Sequence, residues 1–447
     1  MRTLRAAIAA LSCAAACGFA AAAGPASDAP DEALRPRVAA AVRQLGSDSF
    51  RARQEAERQL LDWGTPVLPL LPGPAELDDA SAREAVRRIR VQLEHRQARE
   101  SLRASRVKLS GTLPLAAILE AIERQSGNPL DRTQISPERL KQELPIEFDG
   151  TPFWKALADV AEPMELRIEP APQGRAVRLI EAADAKSSPP AAVAIDGPFR
   201  IAAELATVRP LFGDASRRLV RIRLSVLAEP RVRPLFLALA AKDVQARSSS
   251  GGALIPFAPE AKYELPLADG GAELSFALDF TVPAEVRPES LAANGRMTVQ
   301  AAAGREAIRF PVLSEASGVS RRRGGATVAV GKIALGAREG GAFGVTVPVT
   351  VGYDAGGPAF ESHRQWVYHN EVYLETKDGG RVPLEAPFRT ARQADGGAAL
   401  EYAFRGLAGD PADYRFVYVL PTLIVDVPVE FEFPRVPVAG PDEEEEE

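Results

Sequence analysis

Glu361-Ser362-His363 and His369-Asn370-Glu371, flanking Trp366 and Tyr368, bring together the side chains best able to move protons or hold a metal. On an extended strand the odd-numbered residues share a face, which sets Glu361, His363, Gln365, His369 and Glu371 on one side. Six residues of strand cover about 20 Å, however, so a single ion cannot span the set. Only His369 with Glu371 could share a metal, and a third ligand would have to come from elsewhere. The bland reading is a polar outer strand face, and a sugar site with Trp366, Tyr368 and Tyr373 as a stacking platform is the other alternative. The chain has three histidines, His95, His363 and His369, so a Ser-His-Asp site would have to use one of them. His95 falls in a charged helix. A Gly-x-Ser-x-Gly elbow is absent from the sequence. Gly331-Lys332 imitates the end of a phosphate loop, but the earlier glycine is Gly325, one position too early, and Ile333 replaces the hydroxyl residue. Arg217, Arg218, Arg221 and Arg223, with Arg231 and Arg233, form either a surface for an anionic polymer or a solvated strand face. On this reading there are no catalytic, cofactor-binding or metal residues to assign, no cofactor is expected, and the chain is not expected to be an enzyme.

Compartment decides how the cysteines are read. Arg2 and Arg5, the apolar run Ala6 to Ala16 and the small residues Gly18 to Ala23 have the order of a secretory signal peptide over 1–23. This run is shorter than the roughly 20 apolar residues a membrane span needs. Cys13 and Cys17, the two cysteines of the chain, would leave with it, unless one is kept as a lipidated N-terminus. A mature chain without thiols has no disulfide, nucleophilic cysteine or thiolate metal site. Removing Arg2 and Arg5 takes the formal charge from −6 to −8, and the six acids Asp442 to Glu447 leave the body near −2. That balance does not invite nucleic acid. The acidic stretch 439–447 is expected to be disordered, with calcium or a basic partner as the sharper alternative. The expected setting is export, to the periplasm or the cell surface, with no transmembrane segment in the mature chain.

Three kinds of element follow. Over 24–104 the apolar residues recur at helical spacing: Val38, Ala41, Val42 and Leu45, then Phe50 to Trp63 after the break at Gly46-Ser47-Asp48, then a charged helix from about Ser81 to Arg103. Asp48, Arg51, Ala56, Leu60, Gly64, Pro66 and Leu70, with Arg83 and Ala85, resemble the HEAT repeat pattern of paired helices. Fewer than two units are visible where a solenoid usually needs three, so this segment is either a protein-binding surface or a helical spacer.

Over 105–185 two units open alike: Lys108-Leu109-Ser110-Gly111-Thr112 leads into Leu113 to Ile122, and Glu147-Phe148-Asp149-Gly150-Thr151 leads into Phe153 to Val160. Strand alternation precedes each Gly-Thr and a helical face follows it, and Met164 to Ile168 with Ala176 to Leu179 adds a hairpin. This βαβ-βαββ order resembles the secretin and TonB short N-terminal domain. The resemblance implies a periplasmic docking module that contacts proteins by pairing sheet edges, and it transfers no catalytic residues. Because an outer-membrane barrel is not read downstream, it carries fold and habit but no particular partner.

From about Ala191 the period becomes two. Val220 to Val226, Leu274 to Phe280 and Ile308 to Val312 alternate apolar with polar residues, separated by turns such as Asp269-Gly270-Gly271 and Asn294-Gly295. The spacing predicts a β-sandwich over 190–317, a linker at 318–325 around Arg321-Arg322-Arg323, and a second sandwich over 326–438. Pro428 puts its long strand at an edge or a bulge. The fold class read from the sequence is α+β multidomain: helical hairpins, a small βαβ-βαββ module and two antiparallel sandwiches. The expected function is an exported, non-catalytic interaction or envelope scaffold protein with a protein partner. Polysaccharide binding is the alternative, and glycoside hydrolysis a weaker one for which no pair of acids can be chosen.

Overall fold

The computed structural model describes residues 28–73, 76–171, 176–185, 188–266, 273–323, 326–336, 341–353, 370–384, 389–394 and 397–439. The architecture is α+β and multidomain, with helices first and large antiparallel sheets after them. The chain divides into two compact units, residues 1–94 and 95–447. The first holds α1 (Asp28–Leu45), α2 (Phe50–Trp63) and most of α3 (Ala80–Ser101). The Ser49 side chain accepts from the Ala52 N–H and so starts α2, and Gly64, at φ +76°, stops it. Val38, Leu45, Leu60, Val67 and Ile89 make the core of these hairpins.

The second unit begins with the small module: β1 (Arg106–Pro114), α4 (Leu115–Ser126), β2 (Leu130–Gln134), α5 (Pro137–Leu140), β3 (Glu143–Pro152), α6 (Phe153–Ala161), β4 (Leu166–Pro170) and β5 (Val177–Glu181). β1 and β3 pair antiparallel, while β5 lies between β2, to which it is parallel, and β4. The buried sides of α4 and α6 fill one core with Val107, Phe148 and Leu179.

The β region opens with β6 (Ala192–Asp196), β7 (Phe199–Ala203), β8 (Thr207–Pro210), β9 (Arg217–Ala228), β10 (Arg233–Ala240), β11 (Val244–Ser248), β12 (Ala253–Pro256), β13 (Lys262–Pro266), β14 (Glu273–Pro283) and β15 (Ser290–Val312). It continues with β16 (Ser320–Arg323), β17 (Ala326–Val330), β18 (Ala334–Leu335), β19 (Phe343–Tyr353), β20 (Val372–Thr376), β21 (Arg381–Pro383), β22 (Arg389–Ala394), β23 (Gly397–Leu407) and β24 (Tyr414–Pro437). In β19 the alternation is clean: Phe343, Val345, Val347, Val349 and Val351 are all buried.

The two sandwiches are not separate in space. β24, the last strand, pairs with β15 from Ser290↔Pro437 to Val312↔Arg415, a ribbon with a contour of about 75 Å at roughly 3.3 Å per residue. One half of this ribbon, with Met297, Val299, Phe431 and Phe433, closes the core over β6 to β14. The other half, with Ile308, Phe310, Phe416 and Tyr418, packs with the sheet β16-β17-β19-β23-β22. The residues expected to be a linker contribute the strand β16, paired from Ser320↔Ala329 to Arg323↔Ala326. Pro428 lies opposite Thr298, in the half of β24 that has β15 on one side and no strand on the other among the described residues. An edge position tolerates the missing N–H.

Candidate functional site

The paired Gly-Thr units are related by a pseudo-twofold built into the β1–β3 pairing. Each strand bends at a glycine with positive φ, Gly111 at +120° and Gly150 at +70°, then ends at a proline held near φ −58° as the residue before a helix. Antiparallel pairing puts the start of one strand beside the end of the other, so each helix finds the same partner for its first N–H. Leu115 N–H donates to the Gln142 carbonyl at 2.8 Å, and Phe153 N–H donates to the Ser105 carbonyl at 2.9 Å. The outer face of this two-stranded sheet is exposed, with Arg106, Lys108 and Ser110 on β1 and Glu143, Glu147 and Asp149 on β3. Lys108 Nζ lies 2.9 Å from Asp149 Oδ1.

On its other side the module is fixed to the first sandwich by a polar junction. Glu229, just beyond β9, is completely buried, and its carboxylate accepts from Ser105 N–H at 3.0 Å, Ser105 Oγ at 2.7 Å, Asn128 Nδ2 at 3.0 Å and Arg231 Nε at 2.6 Å. Arg231 also donates to the carbonyls of Ser101 and Arg103. Trp154 Nε1–H donates to the Pro198 carbonyl at 2.9 Å, and Leu227 from β9 enters the module's core. In the same cross-strand row, burial holds the Arg200 guanidinium below and the Glu273 carboxyl above their ordinary pKa values. None of Ser105, Asn128 or Glu229 is marked in the sequence. Glu229 precedes a proline and Asn128 follows a helix-ending glycine, which is ordinary turn chemistry.

The sequence-selected residues separate. Glu361, Ser362, His363, Gln365, Trp366, Tyr368 and His369 lie outside the described residues. Glu371, which with His369 made the one pair able to share a metal, is bonded to Arg305 and lies 3.7 Å from Arg381, so its carboxylate is already engaged by two guanidinium groups. Among the described residues no group of three His, Cys, Asp or Glu could hold a metal ion. Tyr373 is only 3% exposed, with the Arg381 guanidinium 4.5 Å from its ring centroid, and offers no face to a sugar. His95 is exposed on α3. Four of the six arginines in the row are neutralised locally: Arg217 pairs with Asp214, Arg221 with Asp279 through two bonds, Arg223 with Glu204 and Arg231 with Glu229, whereas Arg218 donates to the Val208 carbonyl at 3.3 Å. Hydrogen bonds from Ser216 and Arg217 lower the Asp214 carboxyl to about 2. Arg233 instead reaches Asn370 Oδ1 at 3.3 Å, and Asn370 donates to the Tyr418 hydroxyl, whose burial pushes its pKa up to about 12.

Sequence reasoning also missed an open groove of about 790 Å³ on the first sandwich, lined by Asp196, Asp243, Glu430, Glu432 and Arg296 among others. Arg296 pairs with Glu430 at 3.2 Å, and Asp196 Oδ2 accepts from the Glu430 N–H. No helix among the described residues is long and apolar enough to cross a membrane. The fold is thus that of an α+β multidomain protein with a small two-sheet module fixed to tandem sandwiches. No family model matches the chain, and no curated protein matches it.

Proposed function

We propose that this protein is an exported interaction or scaffold protein that docks a protein partner in the cell envelope through its small module and carries no catalytic site of its own. One observation carries the reading: the module is anchored by the fully buried Glu229 on one side, while the outer face of its β1–β3 sheet, at Arg106, Lys108, Glu143 and Glu147, is left exposed. A two-stranded sheet has two outer backbone edges, and an edge left unpaired is a place where another chain can add a strand. A rigid mount lowers the ordering cost of docking. The resemblance of residues 105–185 to secretin-like modules and the leader expected at 1–23 support the same reading. A photo-crosslinking residue at Ser110, introduced into the full chain in its native cell, is expected to give a discrete protein adduct. The same residue at Thr350, exposed on β19, is expected to give none. No adduct at Ser110, or equal adducts at both positions, would remove the docking function.

A further inference from the structure

We infer that the outer edge of β3 is the docking edge, and that it takes an extended peptide segment carrying Lys or Arg at two same-face positions four residues apart. This deepens the docking reading above and rests on it.

The two edges of the β1–β3 sheet are unequal. On β1 the side chain of Gln125, near the end of α4, occupies the edge: its carboxamide oxygen accepts from the Lys108 N–H at 2.8 Å, and its nitrogen donates to the Lys108 carbonyl at 3.0 Å. These two bonds are the ones a peptide group of an added strand would make. Counted from Leu115 and Phe153, the counterpart of Gln125 in the second unit is Pro163, which lies beyond the end of α6 and has no carboxamide. The duplication is therefore broken where it matters for docking: among the described residues no side chain occupies the β3 edge as Gln125 occupies that of β1.

The Gln125 bonds also fix which way the β3 backbone points. Because the Lys108 groups face away from β3, Lys108↔Asp149 is a pair without mutual backbone hydrogen bonds. Antiparallel alternation makes Ser110↔Glu147 and Pro114↔Glu143 pairs of the same kind. The N–H groups of Glu143, Glu147 and Asp149 thus face the free edge, and Pro145 contributes a carbonyl only. The same residues carry carboxylates on the exposed face. Lys108 answers Asp149, which leaves Glu143 and Glu147 for cations on an incoming strand. Opposite charges directly across a strand pair favour that register, and like charges oppose it.

The test uses the full chain and a synthetic strand of about ten residues alternating Lys with Thr, compared with the same peptide N-methylated at alternate amides. The unmodified peptide is expected to bind, to slow exchange of the Glu147 amide, and to lose about tenfold or more in affinity against Glu143→Lys/Glu147→Lys. N-methylation is expected to abolish binding while leaving the charge intact, and Gln125→Ala is expected to change nothing. Equal binding of the N-methylated peptide would reduce the effect to plain charge attraction and overturn the inference. So would indifference to the double charge reversal, tighter binding to Gln125→Ala, or no binding at all. If the Ser110 adduct forms in the cell while the peptide fails, docking stands and the basic strand is wrong. If the adduct itself is missing, the parent reading has failed.

Discussion

Glu229 shows how a single buried charge joins two parts of this chain. Its carboxylate has donors from Ser105, Asn128 and Arg231, so removing it leaves the buried Asn128 carboxamide without its acceptor, while Arg231 keeps the Ser101 and Arg103 carbonyls. Leaving the buried Asn128 carboxamide without that acceptor costs about 1 to 3 kcal/mol. Glu229→Ala is therefore expected to lower the unfolding free energy by about that amount in urea titration, and Glu229→Gln by less, since the amide oxygen still accepts. A loss under about 1 kcal/mol for the alanine variant would show that the module is held by Leu227 and Trp154 instead. This residue was not legible in the sequence. A lone Glu before a proline looks like any turn, and only the three-dimensional approach of Ser105 and Asn128 gives it a role. The arginine row was legible as residues and ambiguous as a surface. Asp214 stands three residues before Arg217, but Glu204 and Asp279 come from another turn and another strand, and local alternation is silent about them.

At the scale of elements, the ribbon of β15 and β24 has a joint where one core gives way to the next. Leu423 takes a left-handed conformation at φ +53°, and opposite Thr422 stands Gly304, where a Cβ would fall 2.4 Å from Thr422 Oγ1. Non-glycine residues reach that conformation at a cost of roughly 1 to 2 kcal/mol, and the glycine opposite leaves room for the strand to turn. Gly304→Ala is expected to destabilise by about 1 to 3 kcal/mol. In a Thr422→Ala background, which removes the atom in the way, the same change is expected to cost clearly less, so a double-mutant cycle by thermal or urea unfolding should give a coupling of about 1 kcal/mol or more. Additive costs would put the strain elsewhere. The strands themselves were readable, because alternation such as Phe343 to Val351 depends only on neighbours. Pro428 also told where the sheet ends, since a residue without an N–H belongs at an edge. What could not be read was which strands pair. Val429 lies opposite Met297 across more than a hundred residues, and nothing local in either strand names the other.

For the whole molecule, the shared ribbon gives the two cores a common wall. A sequence cut at the glycines around 318–325 suggests two domains that could fold in turn. Yet the first core lacks Val429, Phe431 and Phe433 until β24 has been made, and the second lacks Ile308 and Phe310 unless β15 is in place. Such non-local pairing carries a loop-closure cost, which makes folding slower and ties both cores to the last strand. Phe433 is buried in the first core and Phe416 in the second, and truncating a buried Phe costs about 3 to 5 kcal/mol. If the cores are coupled through the ribbon, Phe433→Ala and Phe416→Ala should each lower the midpoint of one common calorimetric transition. Neither should split off a separate one. If the cores fold independently, each substitution should lower only its own transition and leave the other core at the wild-type temperature. Under coupling, a chain stopped after Ala408, before β24, should lose the β signal of both sandwiches together in far-ultraviolet circular dichroism, because it removes one wall from each core at once.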